Sequence, residues 1–212
     1  MRAAELFVEV LSDPKAAQEA AREMALRSDL TTNEVKLLRG ILQPWWENER
    51  DARVLCGYVG AIALADGKNG GAAHRRSVRI AVICGRTALA LVHEENLEAT
   101  KEIFEKIDTW SQNEAPNADL QALKDQSFLL WIADPINGKG PYAAIVEPAK
   151  AAIYPADSYG SVAFTESYED IEDHIEIHPC DTPEWNEARD RHLSELADLI
   201  RREITVCPVG LR

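Results

Sequence analysis

Four side chains in the C-terminal third of the sequence are of types that bind metal ions: His174, Glu176, His178 and Cys180. Imidazole, carboxylate and thiolate groups are ligands for zinc or iron(II), and residues two apart share one face of a β-strand. The segment is therefore either the metal site of a metal-dependent enzyme or the exposed face of a short amphipathic strand. We favour the strand, which requires no cofactor, because the alternating isoleucines would bury its other face.

A second group of side chains could bind an anion. A glycine-rich turn at residues 66–71 leads into a helix that carries several arginines, and backbone N–H groups at a helix start attract negative charge. The candidate residues are Lys68, Arg75, Arg79 and Arg86, of which the three arginines are predicted to share one helical face. Because the formal net charge of the chain is −13, we favour ion pairs with the chain's own carboxylates over an anion sensor that binds phosphate or an acidic ligand.

The negative charge is concentrated towards the C-terminus and predicts the sign of a partner. Residues 1–90 carry a net charge of +2, residues 91–156 of −6 and residues 157–212 of −9. Such a field repels nucleic acid and anionic membranes, whereas it attracts a basic protein. The carboxylates expected to contact that partner are Glu169, Asp170, Glu172 and Asp173.

Tryptophans supply the remaining candidates for partner binding, since aromatic residues dominate interface hot spots. Trp110, Trp131 and Trp185 lie on apolar helical faces and are predicted to be in the core. Trp45 and Trp46 are adjacent, and adjacent helical residues point in different directions. One of that pair is therefore expected near the surface as a partner anchor.

The elements that position these residues are predominantly helical. Apolar residues recur at three and four positions through most of the first 150 residues, and start signals occur at Asp13, Thr31 and Thr182. We predict an all-α protein of six to nine helices, arranged as a multi-helix bundle or as stacked helical hairpins. It forms one domain over residues 1–212, with an irregular acidic insertion at residues 155–180 that contains the candidate strand.

One helical hairpin is predicted from two similar segments, Val54 to Gly57 and Val82 to Gly85. Their glycines present small faces that allow two helices to approach closely, and the turn between them contains glycines suited to left-handed backbone. Cys56 and Cys84 lie among apolar residues and are expected to be buried and unreactive. The cysteines form no CxxC motif, and no signal peptide or membrane span is apparent, so the cytoplasm is the expected compartment.

The helix pattern resembles that of helical immunity proteins of bacterial toxin systems. The likeness covers residues 95–204 and rests on Trp110, the spacer at residues 113–119, the helix carrying Trp131 and the closing segment Leu196 to Arg202. It implies a non-catalytic cytoplasmic protein that binds and neutralises a partner. The acidic insertion departs from the pattern, and the resemblance assigns a role to no individual residue.

Motifs that would indicate an enzyme are missing from the sequence, which contains no P-loop, nucleophile elbow, HExxH or paired CxxC motif. The favoured function is therefore an acidic helical binding or inhibitor protein that neutralises a basic partner. The metal-dependent enzyme and the anion sensor remain the alternatives.

Overall fold

A computed structural model describes residues 13–112, 118–133, 143–153 and 182–210. Every regular element in these ranges is helical, as predicted. The α-helices are α1 (Pro14–Ala25), α2 (Thr32–Asn48), α3 (Ala52–Asp66), α4 (Ala72–Gly85), α5 (Glu94–Ser111), α6 (Leu120–Ala133), α7 (Ala143–Ile153) and α8 (Pro183–Glu203), and a 3₁₀ helix (Arg86–Leu91) follows α4. The acidic insertion and its candidate strand lie outside the described residues.

Side-chain caps start three of the helices where the sequence predicts them. The Asp13 carboxylate accepts a hydrogen bond from the backbone N–H of Lys15 at 2.9 Å. Thr31 forms a capping box with Glu34, and Thr182 accepts from the backbone N–H of a first-turn residue of α8. These caps satisfy N–H groups that lack partners within the helix, which confirms the three start signals.

Helix α2 does not stop at Pro44, contrary to the sequence pattern, but continues to Asn48. A proline inside a helix leaves the carbonyl of the residue four positions earlier without its donor. That residue is Gly40, which is exposed, so water can hydrate its carbonyl. The helix tolerates the proline because the residues beyond it, Trp45 and Trp46, are buried.

Helix α4 lies at the centre of the fold and packs against α3, α5, α7 and α8. Ile80 and Cys84 join an apolar cluster formed mainly by α1, α2, α3 and α8. Val78 and Val82 join a second cluster with α5 and α7. Since α4 contributes to both clusters, its side chains are buried around most of its circumference.

The predicted hairpin of α3 and α4 is present, and its turn contains two glycines with positive φ, Gly67 at 61° and Gly70 at 67°. Gly85 does present a small face, but towards α7 and not towards the other hairpin helix, since an added Cβ would lie 2.6 Å from the carbonyl oxygen of Ala144 in α7. The prediction is wrong at Gly57, where an added Cβ would meet nothing within 4 Å. Close helix approach therefore occurs on one side of the hairpin, between α4 and α7.

The cysteines described by the structure, Cys56, Cys84 and Cys207, are free and buried. Burial raises the pKa of Cys56 well above its ordinary value, and the neighbouring thiol of Cys84 raises it further. Both observations favour the protonated thiol, which is the less reactive form.

Residues 204–210 follow α8 as an extended segment, here called the C-terminal strap, which is held by side chains of α2 and α3. It is bonded to α2 at residues 204–207 and to α1 at Gly210. Its hydrogen bonds run from Trp46 Nε1 to the Ile204 carbonyl (2.9 Å), from the Cys207 N–H to Gln43 Oε1 (2.8 Å), from Tyr58 Oη to the Pro208 carbonyl (2.6 Å) and from the Gly210 N–H to the Ala25 carbonyl (2.8 Å). Four anchors on three helices fix the position of this segment.

In the described ranges no helix combines the length and the apolar character that crossing a membrane requires.

Candidate anion-binding site

A cavity of about 500 Å³ lies between α2, α4, the C-terminal end of α5 and the C-terminal strap. Four arginines line it, Arg39 from α2 and Arg75, Arg76 and Arg79 from α4; the other lining residues are Ala72, Ser111, Gln112, Glu203, Ile204, Val206, Cys207 and Pro208. Glu203 supplies the single carboxylate among these described lining residues. The cavity is therefore the place where the described part of this acidic chain concentrates positive charge.

The spacing of the α4 arginines explains why they meet. Residues 75 and 76 are each three or four positions from both 72 and 79, and 83 is four positions after 79, which places all five on one stripe of the helix. These residues are the ones in α4 that are not buried, because α3, α5, α7 and α8 cover the rest. The arginines consequently emerge on the stripe that these four helices leave uncovered.

Arg75 is held rigidly by backbone carbonyls rather than by a carboxylate. Its Nε donates to the Gly70 carbonyl at 2.8 Å and its Nη1 donates to the Trp110 carbonyl. The guanidinium lies over the Trp110 ring, 4.4 Å from the ring centre, where a cation–π contact is favourable. Since a guanidinium has five N–H donors, three remain for a ligand.

Arg79 forms an ion pair with Glu203, the last residue of α8. Both side chains are about one third exposed, at 33% and 35%. Solvent therefore screens the pair, and its contribution to stability is small.

Arg76 lies close to another cation, Arg39. Burial lowers its pKa below the ordinary arginine value, and the nearby charge of Arg39 lowers it further. Within the described ranges Arg76 forms no hydrogen bond or ion pair. An anion in the cavity would relieve both effects, because an opposite charge favours the charged form of a group.

His74 is a buried residue at the start of α4 that bonds to the turn before this helix and to α7. It is 2% exposed, its Nδ1 accepts from the Gly70 N–H at 3.0 Å, and its Nε2 faces the Ala151 carbonyl at 2.6 Å. Nδ1 therefore carries no proton and Nε2 donates, so the ring is neutral. Burial lowers the pKa of His74, and the charge of Arg75 acts in the same direction.

The sequence-predicted basic residues divide into two sets. Arg75 and Arg79 line the cavity, whereas Lys68 pairs with Asp66 (3.7 Å) and Arg86 pairs with Asp108 (3.0 Å). Arg86 does not join the other two in the cavity, because it lies at the C-terminal end of α4 and pairs there with a carboxylate of α5. The expected ion pairs with the chain's own carboxylates are confirmed for Lys68, Arg79 and Arg86 but not for Arg75.

Three charged residues of the cavity are not among the sequence-predicted candidates: Arg39, Arg76 and Glu203. Arg39 is on α2 and Glu203 ends α8, so only tertiary packing brings them to α4. Of these, only Arg76 has a local signal in the sequence, because it is adjacent to the candidate residue Arg75.

The expectation that Trp45 or Trp46 lies near the surface is wrong, since they are 9% and 0% exposed. Helix α2 is covered on two sides, so adjacent residues are both buried. Trp45 carries the guanidinium of Arg22 from α1, 5.2 Å from its ring centre, whereas Trp46 bonds to the C-terminal strap. The packing gives both side chains structural contacts within the chain.

The other tryptophans follow the core prediction in part. Trp110 is buried, whereas Trp185 is half-buried beneath Arg189, whose guanidinium lies 5.0 Å from its ring centre. The environment of the Trp131 side chain lies outside the described part of the structure.

The predicted metal ligands and acidic contact residues lie in the range 154–181, outside the described residues: His174, Glu176, His178, Cys180, Glu169, Asp170, Glu172 and Asp173. Elsewhere, in the ranges that are described, no group of three or more His, Cys, Asp or Glu side chains could hold a metal ion.

Comparisons of the chain with protein-family models, curated proteins and solved structures found no match. The described fold and site define an all-helical protein with an arginine-lined cavity, and its function has to be argued from that cavity.

Proposed function

We propose that this chain is a non-catalytic binding protein that holds a small anion in the arginine-lined cavity. The observation that carries the proposal is the convergence of Arg39, Arg75, Arg76 and Arg79 on one cavity, with Glu203 as the carboxylate among the described lining residues. Guanidinium groups bind carboxylate and phosphate oxygens through paired N–H donors. An anion is therefore the ligand that this lining fits best.

The size of the cavity supports a small-molecule ligand. Small-molecule sites commonly enclose roughly 300–1,000 Å³, and the volume of about 500 Å³ lies within that range. The lining combines arginines with apolar residues of the C-terminal strap. This combination suits an organic anion that has both a charged and an uncharged part.

The lining groups that could act as a nucleophile or a base support binding rather than catalysis. Burial raises the pKa of Cys207 to about 12, so its thiol is protonated at neutral pH. The Ser111 hydroxyl donates to the Asp108 carbonyl at 2.7 Å, and Glu203 is paired with Arg79.

Thermal melting with inorganic phosphate tests the proposal, because a ligand that binds only the folded state raises the melting temperature. We expect a saturable rise for the wild type. R76Q should weaken phosphate binding by roughly tenfold, equivalent to about 1.4 kcal/mol, and should fold normally, since Arg76 makes no bond within the described residues.

R191Q is the matched control, because Arg191 is exposed on α8 and the variant changes the net charge equally. It should bind phosphate as the wild type does. Absence of any saturable shift in the wild type at millimolar phosphate would refute the anion site.

A second candidate function rests on negative charge. The resemblance to immunity proteins and the net charge of −9 over residues 157–212 support an inhibitor that neutralises a basic protein. Five of the carboxylates counted in this charge are exposed on α8: Glu184, Glu187, Asp190, Glu195 and Asp198.

This second function is tested by capture of partners from the native host at low and high salt. The comparison protein replaces Glu169, Asp170, Glu172 and Asp173 with amides. A basic protein retained by the wild type and lost from the variant would support the inhibitor. Equal capture by both would remove these four carboxylates from the mechanism.

A further inference from the structure

We infer that the ligand of the cavity carries a doubly charged head group of the phosphate type, and that this group displaces Glu203 from Arg79. The inference rests on the anion site proposed above. It adds the chemical class of the ligand and assigns Glu203 the role of an internal competitor that sets specificity.

The Arg79–Glu203 ion pair shows that the cavity already holds a carboxylate. Glu203 is attached to the same chain, so its carboxylate pairs with Arg79 without losing translational freedom. A free monocarboxylate offers the same group and must also lose that freedom on binding. It therefore competes poorly for Arg79.

A phosphate dianion differs from Glu203 in charge and in shape. A phosphomonoester carries about two negative charges above its second pKa near 6, and the oxygens of its phosphate group point in several directions. Arg75, Arg76 and Arg79 share one stripe of α4, so one phosphate group can accept hydrogen bonds from more than one of them. The dianion thereby gains contacts that a single carboxylate cannot make.

The geometry around Glu203 allows the exchange without a change of fold. Trp46 Nε1 donates to the carbonyl of Ile204, the residue after Glu203, at 2.9 Å, and this bond fixes the backbone there. The Glu203 side chain is 35% exposed, so its carboxylate can rotate into solvent. Displacement thus requires only a side-chain movement.

The uncharged part of the ligand has a surface to contact. Ile204, Val206 and Pro208 of the C-terminal strap line the cavity beside the arginines. The volume of about 500 Å³ leaves room beyond one phosphate group. These features favour a phosphomonoester over free phosphate, although both carry the same head group.

Isothermal titration of the wild type and E203Q with inorganic phosphate, glycerol phosphate and acetate tests the inference, at a pH above 7.5 where phosphate is mainly the dianion. The wild type should bind phosphate and should bind acetate at least tenfold more weakly. E203Q removes the competitor with little change of shape, so it should bind phosphate about tenfold more tightly and should gain measurable acetate binding.

E195Q is the matched control, since Glu195 is an exposed carboxylate on the same helix; it should behave as the wild type. Tighter binding of glycerol phosphate than of phosphate would support the phosphomonoester, and equal binding would support free phosphate as the source of the same head group. Circular dichroism checks that each variant is folded.

Two outcomes would overturn the inference while the anion site stands: equal phosphate affinity of E203Q and wild type, or acetate binding to the wild type as tightly as phosphate. Failure of wild type and E203Q alike to bind any of the three anions would instead refute the anion site itself.

Discussion

His74 shows how one buried side chain couples the start of α4 to pH. Its neutral ring accepts from Gly70 and donates to Ala151, so protonation of Nδ1 would break the first bond. Burial, together with the charge of Arg75, lowers its pKa below the ordinary value of 6.5. The folded protein therefore resists a proton that the unfolded chain accepts.

The consequence is a predicted loss of stability in mild acid. The unfolded chain binds more protons than the folded one between the lowered pKa and 6.5, so the contribution of His74 is fully present above pH 6.5 and is lost as the pH falls. Urea unfolding at pH 7.5 and 5.5 measures the change. H74N should reduce it, whereas the exposed-residue variant H93Q should not; an identical pH dependence for H74N and wild type would contradict the prediction.

The indole N–H of Trp46 is predicted to hold the C-terminal strap in place. W46F keeps an aromatic ring but removes the N–H that donates to the Ile204 carbonyl. A half-buried carbonyl left without its donor and a smaller ring should together cost about 1–3 kcal/mol of unfolding free energy. Hydrogen exchange of the strap amides should accelerate.

W45F is the comparison variant, because the Trp45 N–H donates to the Glu49 side chain at 3.1 Å and makes no bond to the strap. It should leave strap exchange unchanged. Equal acceleration in both variants would show that ring size, rather than the bond to Ile204, holds the strap.

At the scale of elements, helix starts can be predicted from the sequence, whereas helix ends that depend on tertiary packing cannot. Asp13, Thr31 and Thr182 cap their helices through neighbours two or three residues away, so the sequence contains the whole interaction. The continuation of α2 past Pro44 depends instead on burial of the tryptophans by α1, α3 and the strap. That burial is decided by distant segments, which a periodic pattern does not reveal.

Two glycines that look alike in sequence should respond oppositely to alanine. An added Cβ at Gly85 would lie 2.6 Å from a backbone oxygen of α7, so G85A should destabilise the protein by about 1–3 kcal/mol through overpacking. Gly57 has open space, so G57A should stabilise the protein by roughly 0.5–1 kcal/mol through helix propensity. Chemical denaturation measures both, and a stabilising G85A would show that α4 and α7 are not in close contact.

At the scale of the whole molecule, the candidate site is only partly predictable because its residues come from four helices and the C-terminal strap. Arg75 and Arg79 were found because helical spacing puts them on one face. Arg39 and Glu203 are far from α4 in the sequence and reach the cavity only through the tertiary fold. The predicted metal and acidic contact residues lie outside the described part of the chain and stay predictions.

The same arrangement predicts that an anion in the cavity stabilises distant parts of the chain together. The C-terminal strap forms one wall of the cavity and is bonded to α1, α2 and α3, so a ligand that bridges this wall and α4 should restrain both. We expect saturating phosphate to slow hydrogen exchange in the strap and in the first turns of α4. Exchange in α6 should stay constant, because no residue of α6 lines the cavity.

Mass spectrometry of peptides from these three segments distinguishes the outcomes. Slowing confined to α4 would mean that the ligand binds the arginines without contacting the strap. Uniform slowing, α6 included, would mean that phosphate acts as a general stabilising salt.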